Sequence, residues 1–215
     1  MTQRKRLQKL RVSFECRLNR LKKKVQPFLV SRISSDREAV VTYAAIECLN
    51  AWSNFVRAYY LSCAIGTTTE SGDKVTPSIP ILTCTDAIGI AITVFRPYAS
   101  ATASGRWLRR DEPTWHDPNT LLRLSARLGF SNLADIQAGM SAGFRVFADL
   151  PVCRNFFAHR NEHSGGAARR LALLYAIPGS PRPSSMLCSY PHGRPQALIL
   201  EWIDELVFTA QYLCH

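Results

Sequence analysis

The amino-acid sequence predicts an all-α protein of four to five main helices, joined by long loops and preceded by a basic N-terminal helix. Apolar residues recur at steps of three and four along several segments, which is the spacing of one helix face. Residues that favour helix N-termini stand before most of these segments. The composition, 47% hydrophobic and 20% charged, is that of an ordinary globular protein.

The first segment carries most of the net positive charge. Residues 1–35 hold eleven of the 27 Lys and Arg and a single acid, so their net charge is +10, whereas residues 36–215 carry +1. We therefore divide the chain into a basic arm, residues 1–35, and an all-α domain, residues 36–215. Three interpretations of the arm remain open: an amphipathic helix docked on the domain, a helix that contacts RNA phosphates, and a helix on a membrane surface. Its apolar residues share one helical face: Leu7, Leu10, Phe14, Leu18, Leu21 and Val25.

The clearest helix follows the arm. Ser35 or Asp36 can cap it, and its apolar residues continue as far as Gly66. The polar and turn-forming residues 67–77 then predict an exposed loop.

Residues 78–95 are ambiguous because their β-branched side chains would suit a strand. Thr85 or Asp86 can cap a helix that reaches Phe95, and we predict a helix. Residues 96–118 form a long connection. Its arginines and tryptophans allow two interpretations. Either they form a basic surface on which nucleic-acid bases stack, or the indole rings anchor the loop to the core. The residues concerned are Arg106, Arg109, Arg110, Trp107 and Trp115.

Helical signals return in the last hundred residues. Asn119 and Ser131 are predicted caps, and a later helix that contains Pro151 is expected to continue until the Gly165–Gly166 pair. Residues 176–195 predict a Pro-, Gly- and Ser-rich connection. The closing helix has a packing face of Leu198, Ile199, Trp202, Ile203, Leu206 and Phe208.

Several classes of protein are excluded by composition. No apolar run approaches the roughly eighteen residues of a membrane span, and the basic N-terminal segment lacks the apolar stretch of a secretory signal. Seven cysteines are scattered without a C-x-x-C pair, which argues for reduced core thiols rather than a disulfide framework. We expect a cytoplasmic protein without a membrane partner.

The stretch DLPVCRNFFAHRNEHSGG, residues 149–166, concentrates chemically active side chains. The guanidinium of Arg154 can hold phosphate oxygens, and the imidazole of His159 can exchange protons near neutral pH. Together they suit phosphodiester cleavage in RNA, where the ribose 2′-hydroxyl is the nucleophile. Asn155 can hold the substrate or orient the arginine.

The sequence RNFFAH resembles the R-x4-6-H motif of the HEPN superfamily, with the favoured polar residue directly after the arginine. The resemblance implies a HEPN-like elongated helical bundle and a metal-independent endoribonuclease, with Arg154, Asn155 and His159 as catalytic residues and no cofactor. It also implies a toxin or anti-phage effector that works as a homodimer and cleaves RNA at a composite site. A toxic nuclease generally needs restraint, which an antitoxin or sensor partner would supply, although no residue of the sequence identifies such a partner. Arg160 and the run Lys22, Lys23 and Lys24 are the predicted RNA contacts.

Two alternatives remain open. The first is a non-catalytic HEPN module that binds RNA or docks a protein. The second is a zinc hydrolase, because residues 159–163, HRNEH, match the H-x-x-E-H pattern in which two histidines share a helix face. That site needs a third ligand, and the acids available downstream are expected to face water: Glu201, Asp204 and Glu205. His163 is instead expected to interact with the carbonyl end of its helix.

Overall fold

The structure is a computed structural model that describes residues 6–30, 34–179 and 181–215, so residues 1–5 and 31–33 of the predicted arm lie outside the described residues. The predicted all-α class is confirmed. The described residues form one two-stranded hairpin, of β1 (Thr67–Thr68) and β2 (Lys74–Val75), and nine α-helices: α1 (Arg6–Val25), α2 (Ser35–Ala64), α3 (Cys84–Phe95), α4 (Pro118–Leu128), α5 (Leu133–Met140), α6 (Val146–His159), α7 (Glu162–Leu174), α8 (Pro183–Cys188) and α9 (Leu198–Cys214).

The helices form two compact units. The first unit comprises Met1–Phe14, Trp52–Gly143 and Thr209–His215, and the second comprises Glu15–Ala51 and Phe144–Phe208. The boundaries fall within α1, α2 and α9. The division predicted at residue 35 stays a prediction.

An aromatic cluster forms the core of the first unit. The rings of Trp52 and Phe55 are stacked with centroids 5.5 Å apart, and the ring of Phe14 lies 4.7 Å from that of Phe55. One polar pair lies in the same core, where the amide nitrogen of Asn132 donates to the hydroxyl of Tyr59 at 2.8 Å. A buried hydroxyl or amide without such a partner would destabilise the fold.

The core of the second unit is built from one apolar face of each helix. On α6 this face comprises Leu150, Cys153 and Phe157, which recur at steps of three and four. α6 packs on α7, which in turn contacts α8. α9 contributes Trp202 and Ile203, which are almost fully buried.

The predicted apolar face of α1 is confirmed, because five of its six residues are buried and Leu10 is partly exposed. Within each unit the buried part of α1 contributes to the core. The described part of the arm is therefore an amphipathic helix packed on the protein. None of the described helices has the length and apolar character needed to cross a membrane.

The structure corrects several local predictions. The segment predicted as an exposed loop contains the hairpin of β1 and β2, and the segment predicted as an irregular connection contains α8. The helix ending at Phe95 is confirmed, but its cap is Thr83, which forms a capping box with Asp86. The caps of α4 and α5 are Asp117 and Asn132, each within two residues of the predicted positions.

The closing helix also differs from its prediction in one residue. Phe208 is 53% exposed, and its ring meets that of Phe144 edge to face at 5.6 Å. Its predicted place in the packing face is wrong, because it follows Leu206 by only two positions and so lies on another side of α9.

All seven cysteines are free thiols. Five are buried, whereas Cys16 and Cys84 are exposed, so the prediction of core thiols is wrong for these two. Burial raises the pKa of Cys48 to about 12, which keeps this thiol protonated and unreactive at neutral pH.

A network of polar groups lies inside the second unit. Asp149, only 4% exposed, accepts hydrogen bonds from the guanidinium of Arg145 at 2.9 and 3.3 Å and from the hydroxyl of Tyr175 at 2.8 Å. The indole of Trp202 donates to the same hydroxyl at 2.9 Å. Both carboxylate oxygens of Asp149 and the hydroxyl of Tyr175 therefore have partners, which a carboxylate requires in order to be buried at low cost.

Glu205 lies beside this network and accepts a hydrogen bond from the backbone N–H of Val146 at 3.3 Å. Burial, reinforced by the carboxylates of Glu201 and Asp149, raises the pKa of Glu205 to about 7. The Val146 N–H and the charge of Arg194 oppose this shift without cancelling it. Glu205 is therefore a carboxyl group that titrates near neutral pH.

We expect the free energy of unfolding to fall as the pH rises from about 4.5 to about 7. In this window folded Glu205 keeps a proton that the unfolded chain releases, so a higher pH favours unfolding. Glu205→Gln should flatten this slope and stabilise the protein at pH 8, as measured by urea denaturation across the pH range. Glu162→Gln changes an exposed acid and should keep the parent slope. A parent-like slope in Glu205→Gln would contradict the assignment.

Candidate functional site

The candidate site lies on the last two turns of α6, and its position follows from the buried face of that helix. Cys153 and Phe157 are buried and fasten these turns to the second unit. The ring of Phe156 lies 5.4 Å from that of Phe157. The two phenylalanines of the RNFFAH sequence thus take part in packing, Phe157 buried and Phe156 half-buried, and its polar residues are left for chemistry.

The three predicted catalytic residues occupy different faces of α6. Asn155 and His159 are exposed and stand four residues apart, so they are neighbours on one face. Arg154 is half-buried at the edge of the packed face. His159 is five positions after Arg154, which corresponds to about 140° of rotation beyond one turn and about 7.5 Å along the axis. The structure therefore brings Asn155 and His159 together and leaves Arg154 on a different side of the helix.

None of these three side chains is used to hold the fold. Among the described residues, the side chains of Arg154, Asn155 and His159 make no hydrogen bond or ion pair with one another or with any other group. By contrast, Asp149 on the first turn of α6 is paired with Arg145, the N-cap residue of this helix. The free polar groups of α6 are thus concentrated at its C-terminal end.

The helix ends directly after His159. Arg160 adopts a left-handed conformation with φ of +46°, and its N–H donates to the carbonyl of Phe156 at 2.7 Å. Asn161 then caps α7, since its side-chain oxygen accepts from the N–H of Ser164 at 2.8 Å. The prediction that one helix continues to Gly165 is therefore wrong, because the Asn161 cap starts a new helix four residues earlier.

The glycines that were predicted to stop the helix lie inside α7. A Cβ atom on the buried Gly165 would lie 3.4 Å from the ring of Phe156. That distance is an ordinary van der Waals contact, so Gly165 packs against the ring of Phe156 within α7 and does not end a helix.

The helix break separates the two histidines of HRNEH. His159 is the last residue of α6, and His163 lies in the first turn of α7. They do not share the single helix face that the zinc pattern requires. The prediction that His163 interacts with a helix C-terminus is also wrong, because it stands near an N-terminus.

The acids downstream of this pattern are engaged elsewhere. The expectation that they face water is wrong for Glu201, which is buried and accepts from Arg194, and for Glu205, which is half-buried beside Asp149. It is confirmed for Asp204, whose side chain is 46% exposed and accepts from Lys22 and Gln196. In the part of the chain that the structure describes, no group of three or more His, Cys, Asp or Glu residues is arranged to hold a metal ion.

The arginine that directly follows His159 shares an acid with a second arginine. Arg160 lies 3.7 Å from a carboxylate oxygen of Glu38, and Arg182 lies 4.0 Å from the other oxygen of the same carboxylate. Both arginines are mostly exposed, and ion pairs of this length are weak. Sequence reasoning missed Arg182, which precedes α8 in the Pro-rich connection and carries no local signal that links it to α6.

The predicted lysine contacts differ from one another. The ammonium group of Lys22 donates to both carboxylate oxygens of Asp204 at 2.7 and 2.8 Å. Lys24 lies over the ring of Tyr43, 5.6 Å from its centroid, and Lys23 is exposed. Lys23 is thus the lysine of this run most available to a phosphate, and Lys22 the least.

No family model, curated protein or solved structure matches this chain.

The end of α6 yields a stability prediction. Asn161→Ala removes the cap of α7 and should lower the free energy of unfolding by about 1 kcal/mol, as measured by denaturant titration. Asn161→Asp keeps an acceptor oxygen and should restore most of the loss. Asn155→Ala is the matched control, since its side chain has no described partner, and it should change stability by less than about 0.5 kcal/mol. Equal losses in the Asn155 and Asn161 variants would contradict the capping role.

Proposed function

We propose that this protein is a metal-independent endoribonuclease of the HEPN type, which cleaves RNA at a site composed of two copies of the chain. One observation carries the proposal. The polar residues of the motif, Arg154, Asn155 and His159, form no hydrogen bond or ion pair among the described residues, while the buried Phe157 between them anchors α6. A polar group that the fold does not use is available to a substrate.

The chemistry of these groups suits RNA cleavage. A base removes the proton of a ribose 2′-hydroxyl, and the oxygen attacks the adjacent phosphorus. The bond from phosphorus to the 5′-oxygen breaks, and an acid protonates that leaving oxygen. The products are a 2′,3′-cyclic phosphate and a 5′-hydroxyl. The guanidinium of Arg154 would stabilise the negative charge on the phosphate oxygens as the reaction proceeds.

A site shared by two copies of the chain would overcome the separation of Arg154 and His159 around α6. Arg154 and His159 point to sides of α6 that differ by about 140°, so one helix presents them poorly to a single phosphate. One histidine also provides either the acid or the base, whereas the reaction needs both. Two motifs facing one another would supply two imidazoles and two guanidinium groups to one linkage.

Exposed cations of the second unit support RNA as the substrate. Arg160 and Arg182 share one carboxylate, that of Glu38, so the group retains positive charge. Lys23 adds an exposed cation within the same unit. Such charges attract phosphates without reading sequence.

A non-catalytic HEPN module is the second candidate. The observation that favours it is the half-buried position of Arg154 on a different side of α6 from His159. In this version the basic end of α6 binds RNA or a partner protein, and no bond is broken. The toxin or anti-phage role, the restraining antitoxin or sensor partner, and the cytoplasmic location all accompany the catalytic proposal.

His159→Ala tests the catalytic proposal directly. The variant should cleave RNA at least about 100-fold more slowly than the parent, because it loses the group that transfers or positions the proton. The assay is incubation of total RNA in EDTA, with the termini mapped for cyclic phosphates. Arg154→Ala should show a comparable loss.

The matched control is His163→Ala. His163 is also an exposed histidine near the helix junction, yet it lies outside the motif, and its replacement should leave the cleavage rate within about twofold of the parent. Intact RNA after incubation with the folded parent protein, together with retained RNA binding, would favour the non-catalytic module. Cleavage that survives in His159→Ala would reject the assignment.

The basic arm yields a prediction about salt dependence. Deleting the arm would remove the buried residues of α1 from the core, so neutralising substitutions are the better test. In the His159→Ala background, Lys23→Gln combined with Lys24→Gln should reduce the slope of log affinity for single-stranded RNA against log salt by about 1.4. Lys22→Gln should change the slope much less, because Asp204 already holds this ammonium group. An unchanged slope in the double variant would contradict RNA binding by the arm.

A further inference from the structure

A cavity of about 400 Å³ lies in the first unit, outside the candidate cleavage site. Side chains from α2, from the first half of α3 and from the connection between α3 and α4 line it. Its volume is within the range of small-molecule sites. Three features of its wall indicate the kind of ligand that it suits.

The first feature is a neutralised ion pair. The carboxylate of Glu112, 6% exposed, accepts from the guanidinium of Arg57 at 2.6 and 2.9 Å and from the indole of Trp115 at 2.7 Å. Burial favours the neutral acid, but these hydrogen bonds and the charges of Arg57 and Arg109 hold the pKa of Glu112 below its usual value. Glu112 is therefore a carboxylate whose acceptor positions are largely occupied, and it cancels the charge of Arg57.

The second feature is a cation whose charge is not cancelled. Arg106 lines the cavity, is exposed, and forms no side-chain ion pair with a described residue. Its backbone is fixed, because its N–H donates to the hydroxyl of Thr102 at 3.1 Å and its carbonyl accepts from the N–H of Thr102 at 2.8 Å. The guanidinium is thus carried on an ordered turn, which lowers the entropic cost of binding an anion.

The third feature is an aromatic wall. Trp107 lines the cavity, and a Cβ atom on Gly89 would lie only 2.6 Å from its indole nitrogen. The glycine therefore makes the room in which the indole lies against α3. Leu61 on α2 and Ile88 on α3 extend the apolar wall. The ring is held in place beside the cavity, where a flat ligand can stack on it.

We propose that this cavity binds a nucleotide, with the base against the indole of Trp107 and the phosphate at the guanidinium of Arg106. Inorganic phosphate would leave the aromatic and apolar wall unused, and an uncharged aromatic compound would leave Arg106 unpaired. A nucleotide satisfies both. It is either a free nucleotide or one residue of a single-stranded RNA, since the two present the same base and phosphate. The proposal does not require that the chain cleaves RNA.

Calorimetric titration of the full-length His159→Ala protein tests the proposal. The probes are the four nucleoside 5′-monophosphates, the four nucleosides, inorganic phosphate and an eight-nucleotide single-stranded RNA. At least one monophosphate or the RNA should bind about tenfold or more tightly than phosphate or the nucleosides. Trp107→Ala should weaken that binding by roughly tenfold, which is the value of one stacked base.

Arg106→Ala should weaken the monophosphate or the RNA and leave the weak binding of the nucleosides unchanged. Arg110→Ala is the matched control, because this exposed arginine lies on the same connection and does not line the cavity. If Trp107→Ala lowers the stability of the protein, Arg106→Glu still tests binding of the phosphate, because Arg106 is exposed. Absence of binding by every probe, or equal losses in the Arg106 and Arg110 variants, would overturn the proposal.

The two sources of the nucleotide are separated by competition. If RNA is the occupant, the octamer binds more tightly than any monophosphate and each displaces the other. If a free nucleotide is the occupant, one monophosphate binds more tightly than the octamer. Both results depend on Arg106 and Trp107, and neither depends on cleavage.

Discussion

The left-handed turn at Arg160 is the constraint on which the arrangement of the candidate site depends. It ends α6 at His159 and is followed at once by the Asn161 cap, so the chain reverses into α7 within two residues. α7 packs on α6, and the buried Gly165 of α7 lies against the ring of Phe156. As a result His159 is a terminal, exposed residue of α6, and the polar atoms of the motif are left outside the packed face.

The arginines differ in whether their charge neutralises a buried carboxylate. Arg57 and Arg145 each make bidentate contacts to a carboxylate that is at most 6% exposed, and without them these carboxylates would be strongly destabilising. Arg154 and Arg106 have no such partner among the described residues. The fold does not require their charge, and both proposals place an anion at one of them. Arg160 and Arg182 are intermediate, because they share the single carboxylate of Glu38 over long distances.

Local sequence predicted the helices well and their ends less well. Apolar spacing identified the buried face of α1 and the long α2, because that spacing records burial directly. The caps were displaced by one to three residues, since several Thr, Ser, Asn and Asp residues compete for each N-terminus and only backbone geometry decides among them. The largest error joined α6 to α7, where an asparagine cap was overlooked in favour of a glycine pair.

The sequence by itself determined the all-α class, the amphipathic face of the basic arm, and the clustering of Arg154, Asn155 and His159 on one helix, because these depend on periodicity along a single segment. Only the tertiary structure decided that His159 and His163 belong to different helices, that Glu201 and Glu205 lie inside, and that Arg106 and Trp107 border a cavity. Burial and pairing of a polar side chain depend on neighbours that are distant in sequence. A pattern within one segment contains no information about them.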